Sequence, residues 1–424
     1  MTEPNPLCPP PDPALPVPGV RIATAAAGIK SADRDDMAVL LLAPGTRCAG
    51  VFTRSHFAAA PVQLCRELLD SQQPVAALVI NSGNANAATG KPGRADAEQV
   101  CAAAREAFSV DGAVLPFSTG VIGERLPVGK MCDALGGAAK GLGADRWLEA
   151  AQAIMTTDTV PKLVTRQLQL DGQTVTIAGI AKGSGMIKPD MATMLAYLAC
   201  DAPVAQSLLD QWTARIADRS FNRVIVDGDT STNDAFMLLA TGQASLAEIG
   251  AQSGAQSGAQ SGAQSGGEGD PNAVLLLDAL TAVAAELAQR IARDGEGATR
   301  FVTVTTTGAR TDADALAVSQ TIAESPLVKT ALFAGDANWG RLCMAIGRAP
   351  AEVDPDRVSL HLGDHCIAQG GLMASSYDEA EATRIMAAPE ILIHCDLGLG
   401  GGQDRVWTTD LSYDYVRINA EYRT

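Results

Sequence analysis

The chain has 424 residues, 47% hydrophobic, 19% charged and 4% aromatic, and its 32 Lys and Arg against 48 Asp and Glu leave a formal net charge of −16. At about 150 residues per domain this makes two or three units with room for a sizeable core. So acidic a surface repels phosphate backbones and anionic lipid, which argues against nucleic acid or a membrane surface as partner. The first 18 residues carry eight prolines and no Lys or Arg. They lack the basic start and apolar run of a signal peptide and read as a disordered lead. Apolar stretches such as 274–280 fall short of a membrane span, and a cytoplasmic location is expected. Nine scattered cysteines form no CxxC pair, and four histidines leave little for a metal site. Reduced, mostly buried thiols are expected, with no metal and no organic cofactor.

After the lead, apolar runs bounded by turn residues predict strands at 37–42 and 48–53, a helix over 59–70 and a strand at 75–80. Residues 81–90, rich in small polar side chains, read as a loop before a helix at 93–108. A strand at 113–117 runs into Ser118-Thr-Gly120, read as a turn, and helices follow at 129–142 and 144–155. The β-rich runs 163–170 and 174–180 flank Asp171-Gly172, a favoured hairpin pair. Beyond an apolar run at 194–199, helices are expected at 203–218, 231–240, 273–293 and 311–323. Strands are expected at 222–227, 300–306, 357–362, 390–396, 404–411 and 413–420. Frequent hairpins and irregular βαβ spacing predict an α+β architecture of layered mixed sheets with helices rather than a doubly wound sheet. Ala-Gln-Ser-Gly repeats four times over 251–266. That composition cannot bury enough surface to fold, and it reads as a flexible insertion rather than a domain boundary.

The least ordinary passage is Lys182-Gly-Ser-Gly-Met-Ile-Lys-Pro-Asp-Met-Ala-Thr-Met-Leu195. Its glycines permit a sharp turn or close backbone approach, and Pro189 ends any regular element. The order of a phosphate-binding loop, with Lys-Ser or Lys-Thr after the last Gly, is absent. As a bare pattern it reads first as a Gly-rich turn between strands.

This passage resembles the self-cleavage signature of the glutamate N-acetyltransferase family, also called ornithine acetyltransferase, of the bifunctional arginine-biosynthesis type. Met155-Thr-Thr-Asp-Thr159 with Pro161-Lys162, Ser118-Thr-Gly120, Asp294-Gly-Glu-Gly-Ala-Thr299, Gly335-Asp-Ala-Asn-Trp-Gly-Arg341 and Ile418-Asn-Ala-Glu-Tyr-Arg-Thr424 also resemble family motifs. Together they span the chain from about residue 20 to its end. The resemblance implies a precursor that cuts itself between Ala192 and Thr193, giving an α chain of 19–192 behind the lead and a β chain of 193–424. Thr193 would then be the nucleophile, with its freed amine as the base. An α-amino group titrates at about 7.7–8.0, so no histidine is needed.

By the same resemblance, acetyl passes from N-acetylornithine to glutamate through acetyl-Thr193, in ping-pong fashion. Thr119 and Gly120 would form the oxyanion hole. Thr156, Lys182, Thr193, Glu296, Asn419 and Thr424 would bind substrate. A Lys182 ammonium suits a substrate carboxylate, and Glu296 suits the ornithine ammonium. Taken singly, Lys182 and Glu296 also read as ordinary solvated surface charges. Acetyl-CoA is a further conceivable donor, and an α2β2 heterotetramer is the family expectation. A self-processing aminopeptidase or amidase, with water as acceptor, is the alternative. An uncut binding protein is a second alternative, from another class.

Overall fold

The computed structural model describes residues 3–30, 33–188, 194–250 and 270–421. Ala192, Thr193, Thr424 and the 251–266 repeat lie outside the described residues. The first half runs β1 (Val20–Ala25), β2 (Met37–Leu42), β3 (Arg47–Phe52), α1 (Ala60–Asp70), β4 (Val75–Asn84), α2 (Gly90–Ala107), β5 (Ala113–Val121), α3 (Val128–Ala138) and α4 (Trp147–Ala153). Then come β6 (Lys162–Leu170), β7 (Gln173–Lys182), β8 (Leu195–Cys200), α5 (Gln206–Arg219), β9 (Val224–Ile225), β10 (Ala235–Ala240) and α6 (Pro271–Arg293).

Two of the three sheets stack face to face. One has the order β1-β2-β4-β5 and the other β3-β10-β8-β7-β6. Strand periodicity of two explains why β2 is apolar throughout. Ala38, Leu40 and Leu42 face the second sheet, while Met37, Val39 and Leu41 face α2 and α3. The inter-sheet core contains α4, with Trp147 fully buried, and an edge-on pair of Phe117 and Tyr197 at 5.2 Å. The outer face of the second sheet is covered by α5 and α6. The result is a helix–sheet–sheet–helix sandwich.

The helix α6 is long and apolar enough to cross a membrane by length and composition. Its stripe Leu276, Leu280, Val283, Leu287 and Ile291 instead packs on the second sheet, as spacings of three and four residues dictate.

A third layer pair follows. It comprises β11 (Phe301–Ala309), α7 (Asp312–Ala323), α8 (Pro326–Ala334), α9 (Trp339–Gly347), β12 (Ser359–Leu362), β13 (His365–Gln369), β14 (Leu372–Met373), α10 (Glu379–Met386), β15 (Glu390–Asp396), β16 (Gly402–Thr409) and α11 (Tyr413–Glu421). Its sheet has the order β14-β13-β12-β15-β11-β16-β9, with helices over one face. The α+β class with layered mixed sheets stands. The predicted hairpin is β6–β7, turning at Asp171 and Gly172, both with positive φ.

Three expectations are corrected. Residues 231–240 do not form a helix, because the run at 235–240 is the fully buried strand β10. It lies between β3 and β8, where an all-apolar sequence shows no period to read. Residues 413–420 are the helix α11 rather than a strand; Ser412 Oγ accepts from the Tyr415 N–H at 3.3 Å, the bond of an N-cap. The lead, as far as it is described, is not disordered. Asp12 N–H donates to Leu163 O at 3.0 Å, and the Asp12 carboxylate accepts from Thr165 N–H and from Arg290. Residues rich in proline thus cap the edge strand β6, where absent N–H groups are tolerated.

The Arg290 guanidinium is nearly buried and shared by Asp12, Glu286 and two carbonyls. Asp12→Ala is expected to lower stability by about 2 kcal/mol, seen as a lower urea midpoint at unchanged slope.

Candidate active site

The cleft opens where the two sandwich sheets meet the third unit. Thr119, Gly120, Thr156, Lys182, Glu296 and Asn419 all line it, as do Met194 and Asp234. Six positions expected from the sequence therefore converge from five segments far apart in the chain. Thr193 and Thr424 lie outside the described residues, but Met194, the residue after Thr193, is on the cleft wall.

Thr119 and Gly120 do not form the expected turn; they are the end of β5, which pairs with the end of β4. Gly120 has φ +130°, and a Cβ there would sit 2.3 Å from the Gly83 carbonyl carbon, so only glycine fits. At the end of β7, the Lys182 ammonium donates to Thr119 Oγ1 at 3.4 Å. That bond occupies the hydroxyl oxygen and leaves its hydrogen available as a donor. Burial lowers the Lys182 ammonium from its ordinary value of 10.5, while Asp158 and Glu296 pull it back.

The opposite wall carries the acid. Glu296 N–H donates to Ser184 O at 2.8 Å, and Glu296 Oε2 accepts from Asn419 Nδ2 at 2.7 Å. Gly185 makes room, since a Cβ there would lie 2.5 Å from the Glu296 carboxyl. Asn419 reaches the site because the terminal segment is a helix packed over the loop at 297, where Ser412 Oγ donates to Gly297 O. Of the adjacent threonines, Thr157 spends its hydroxyl on Ser184 at 2.7 Å, whereas Thr156 N–H is held by Asp158 Oδ2 at 3.1 Å.

Beneath the cleft lies a buried charge cluster. Lys162 Nζ donates to Asp158 Oδ1 and to Asp294 Oδ2, each at 2.7 Å, and all three side chains are fully buried. Asp158 Oδ1 also accepts from Gly183 N–H at 2.7 Å. Asp294 accepts from the backbone N–H groups of Thr159 and Val160. Burial alone would raise the Asp158 carboxyl, but Lys162 and Lys182 outweigh it and hold it well below the usual range. For Lys162, burial opposes the charge and the two carboxylates overcome it.

One contributing segment escaped the sequence reading. Residues 227–234, Asp-Gly-Asp-Thr-Ser-Thr-Asn-Asp, fall between and across the ends of the expected strand at 222–227 and the expected helix at 231–240. Asp227 accepts from the N–H groups of Met186 (2.6 Å) and Ile187 (2.9 Å), holding Met186 at a positive φ of 57°. Asn233 Nδ2 donates to Ala85 O and Ser118 O, tying the first sheet to the second at the cleft. The available signal was a dense run of carboxylates and hydroxyls between two apolar strands.

Residues 21–424 match the ArgJ family. The chain belongs to that family. It is 48% identical over 421 residues to the arginine biosynthesis bifunctional protein ArgJ of Pseudomonas syringae pv. tomato, covering 98% of each chain. Family membership makes it an acyltransferase of arginine biosynthesis. Among solved structures, it is similar to an ArgJ from Bacillus halodurans, with 35% identity, 53% of this chain and 98% of that one covered, and a TM-score of 0.48. It is also similar to an ornithine acetyltransferase complexed with ornithine from Mycobacterium tuberculosis, with 36% identity, 42% and 94% covered, and a TM-score of 0.35.

Lys162→Met is expected to cost about 3–5 kcal/mol, because two buried carboxylates lose their cation. The buried Asp158 carboxyl, without the larger of the two charges that lower it, then binds protons more tightly folded than unfolded. Stability of the variant should therefore rise as pH falls from 7 to 5, the reverse of the paired arrangement, as urea titrations at both pH values would report.

Proposed function

We propose that this acyltransferase cuts itself between Ala192 and Thr193, and then uses Thr193 to carry acetyl from N-acetylornithine to glutamate. What carries the reading is the convergence of Thr119, Gly120, Lys182, Glu296 and Asn419 on the wall that Met194 shares. In the acetyl step Thr193 Oγ bonds to the acetyl carbon, and the Thr193 amine takes the hydroxyl proton. The tetrahedral oxyanion is held by the Thr119 hydroxyl and the Gly120 N–H, donors of a kind that contribute about 3 kcal/mol to a transition state. The carbon–nitrogen bond then breaks, the proton passes to the departing ornithine amine, and acetyl-Thr193 remains. Glutamate's amine attacks that ester and restores the hydroxyl.

The cleft presents an ammonium, Lys182, and a carboxylate, Glu296, from different segments. That charge pair suits substrates with a carboxylate and an amine at their ends. Thr156 and Thr424 join the substrate contacts in this reading. Nothing in the chemistry calls for a metal or an organic cofactor, and acetyl-CoA could enter only as an alternative acetyl donor. The location that goes with this pathway role is the cytoplasm.

Cutting at this bond would not separate the pieces. The antiparallel pairing of β7 with β8, from Ile177↔Cys200 to Lys182↔Leu195, spans the cut, and β3 pairs with β10 across it as well. The α and β chains would stay interleaved in one five-stranded sheet, and two such pairs would form the α2β2 assembly.

Intact mass under denaturing conditions should give two species, 1–192 and 193–424, that co-elute on a native sizing column. Incubation with N-acetylornithine should add one acetyl to the second species. Thr193→Ala should remain a single chain without adduct. A wild-type protein that persists as one chain, or one whose acyl-enzyme yields only to water in the presence of glutamate, would overturn the reading. Glu296→Gln should raise KM for N-acetylornithine by about tenfold or more, with a smaller change in kcat.

A further inference from the structure

Asp234 takes no part in the reading above, yet its position is unusual. It immediately precedes β10, is 2% exposed, lines the cleft, and leaves Oδ2 without a hydrogen-bond partner among the described residues. A buried carboxyl oxygen in a polar cleft is costly to leave unpaired. Ser231 and the backbone N–H of Met194 face its carboxyl and favour the charged form. The register of β10 against β8 fixes that neighbour, since Ala235 pairs with Leu195 and Ala235 N–H donates to Met194 O at 2.9 Å.

Covalent geometry supplies the next step. Successive backbone nitrogens are at most about 3.6 Å apart whatever the conformation between them. A carboxyl facing the Met194 N–H is therefore about one residue from the amine that cutting before Thr193 would release. We propose that Asp234 is the positioning carboxylate for the Thr193 amine, holding it against the hydroxyl it deprotonates and stabilising the ammonium formed in each half-reaction. The inference rests on the self-cleavage reading.

The roles balance. As the bond from Thr193 Oγ to the acetyl carbon forms, the amine takes the hydroxyl proton and becomes an ammonium paired with Asp234. As the carbon–nitrogen bond of the donor breaks, that proton leaves with the ornithine amine, and Asp234 keeps its charge throughout. An orienting carboxylate serves the histidine base of a catalytic triad in the same way. Before cutting, burial pushes the Asp234 carboxyl well above the ordinary range, with Ser231, Lys182 and Met194 offsetting only part of the effect. Cutting would supply the missing cation. Of the charged groups facing it, Lys182 comes from β7 and is itself flanked by Asp158, Lys162 and Glu296. The other contributors to that wall, Thr119 from β5, Asn233 from the preceding loop and Asn419 from α11, are uncharged.

The test compares kcat/KM for N-acetylornithine against pH in the wild type, Asp234→Asn and Asp234→Glu. Intact mass confirms cutting, and a thermal melt confirms folding. A neighbouring carboxylate raises the amine's value, and the base must be unprotonated to act. Asp234→Asn should therefore move the acidic limb about one pH unit towards acid and lower kcat on the order of 10²-fold. Asp234→Glu should return the limb towards its wild-type position. An Asn variant that is cut but keeps its limb overturns the proposal, as do two folded variants that both remain uncut. If only the Asn variant stays uncut, the Glu variant decides: a wild-type limb supports the proposal and a displaced one overturns it. A wild-type chain that is never cut would instead bring down the self-cleavage reading itself.

Discussion

The architecture of the cleft depends on one ammonium with no access to water. Lys162 stands between Asp158 and Asp294, and each of those carboxylates also organises backbone. Asp158 holds the N–H of Thr156 on one side and of Gly183 on the other, while Asp294 holds the N–H groups of 159 and 160. The segment before β6, the end of β7 and the loop after α6 are thereby pinned to a common point. These three carry Thr156, Lys182 and Glu296. A buried ion pair contributes little net stability compared with apolar packing, and what this one does is join three separate segments of the chain at one point.

A second constraint follows from where the β7–β8 connection sits. Both flanks of the stretch 189–193 are held by residues 227–234: Asp227 grips Met186 and Ile187, and Asp234 meets Met194. The same segment reaches across to the first sheet through Asn233. A strand order of β3-β10-β8-β7-β6 interleaves elements from both sides of the Ala192–Thr193 bond. Lys182 and Leu195, on either side of it, are therefore paired neighbours in one sheet rather than parts of separate domains.

Much of this was legible before the structure. Strands with flanking turn residues, such as β2, and the β6–β7 hairpin with its Asp-Gly turn, carry their own local signals. So do long amphipathic helices such as α6. Where local signals conflict with packing, the sequence misleads. β10 is apolar on both faces and shows no period, and α11 has the aromatic and β-branched residues of a strand but is set as a helix by a Ser412 cap. The lead looked unable to fold because proline removes donors, yet those missing donors suit it to cover an edge.

The sequence by itself determined the residue types of the site: Thr119-Gly120, Lys182, Glu296 and Asn419 stand in motifs whose order along the chain is enough to name a family. It could not determine which of Thr156 and Thr157 has its hydroxyl engaged by Ser184, that Asn419 addresses Glu296, or that Asp234 stands beside Met194. Those pairings join residues separated by tens to hundreds of positions. Hydrogen bonds and ion pairs act over a few ångströms and carry no trace along the chain. Only the stacking of two sheets, and the helix that closes over them, brings such groups within that range.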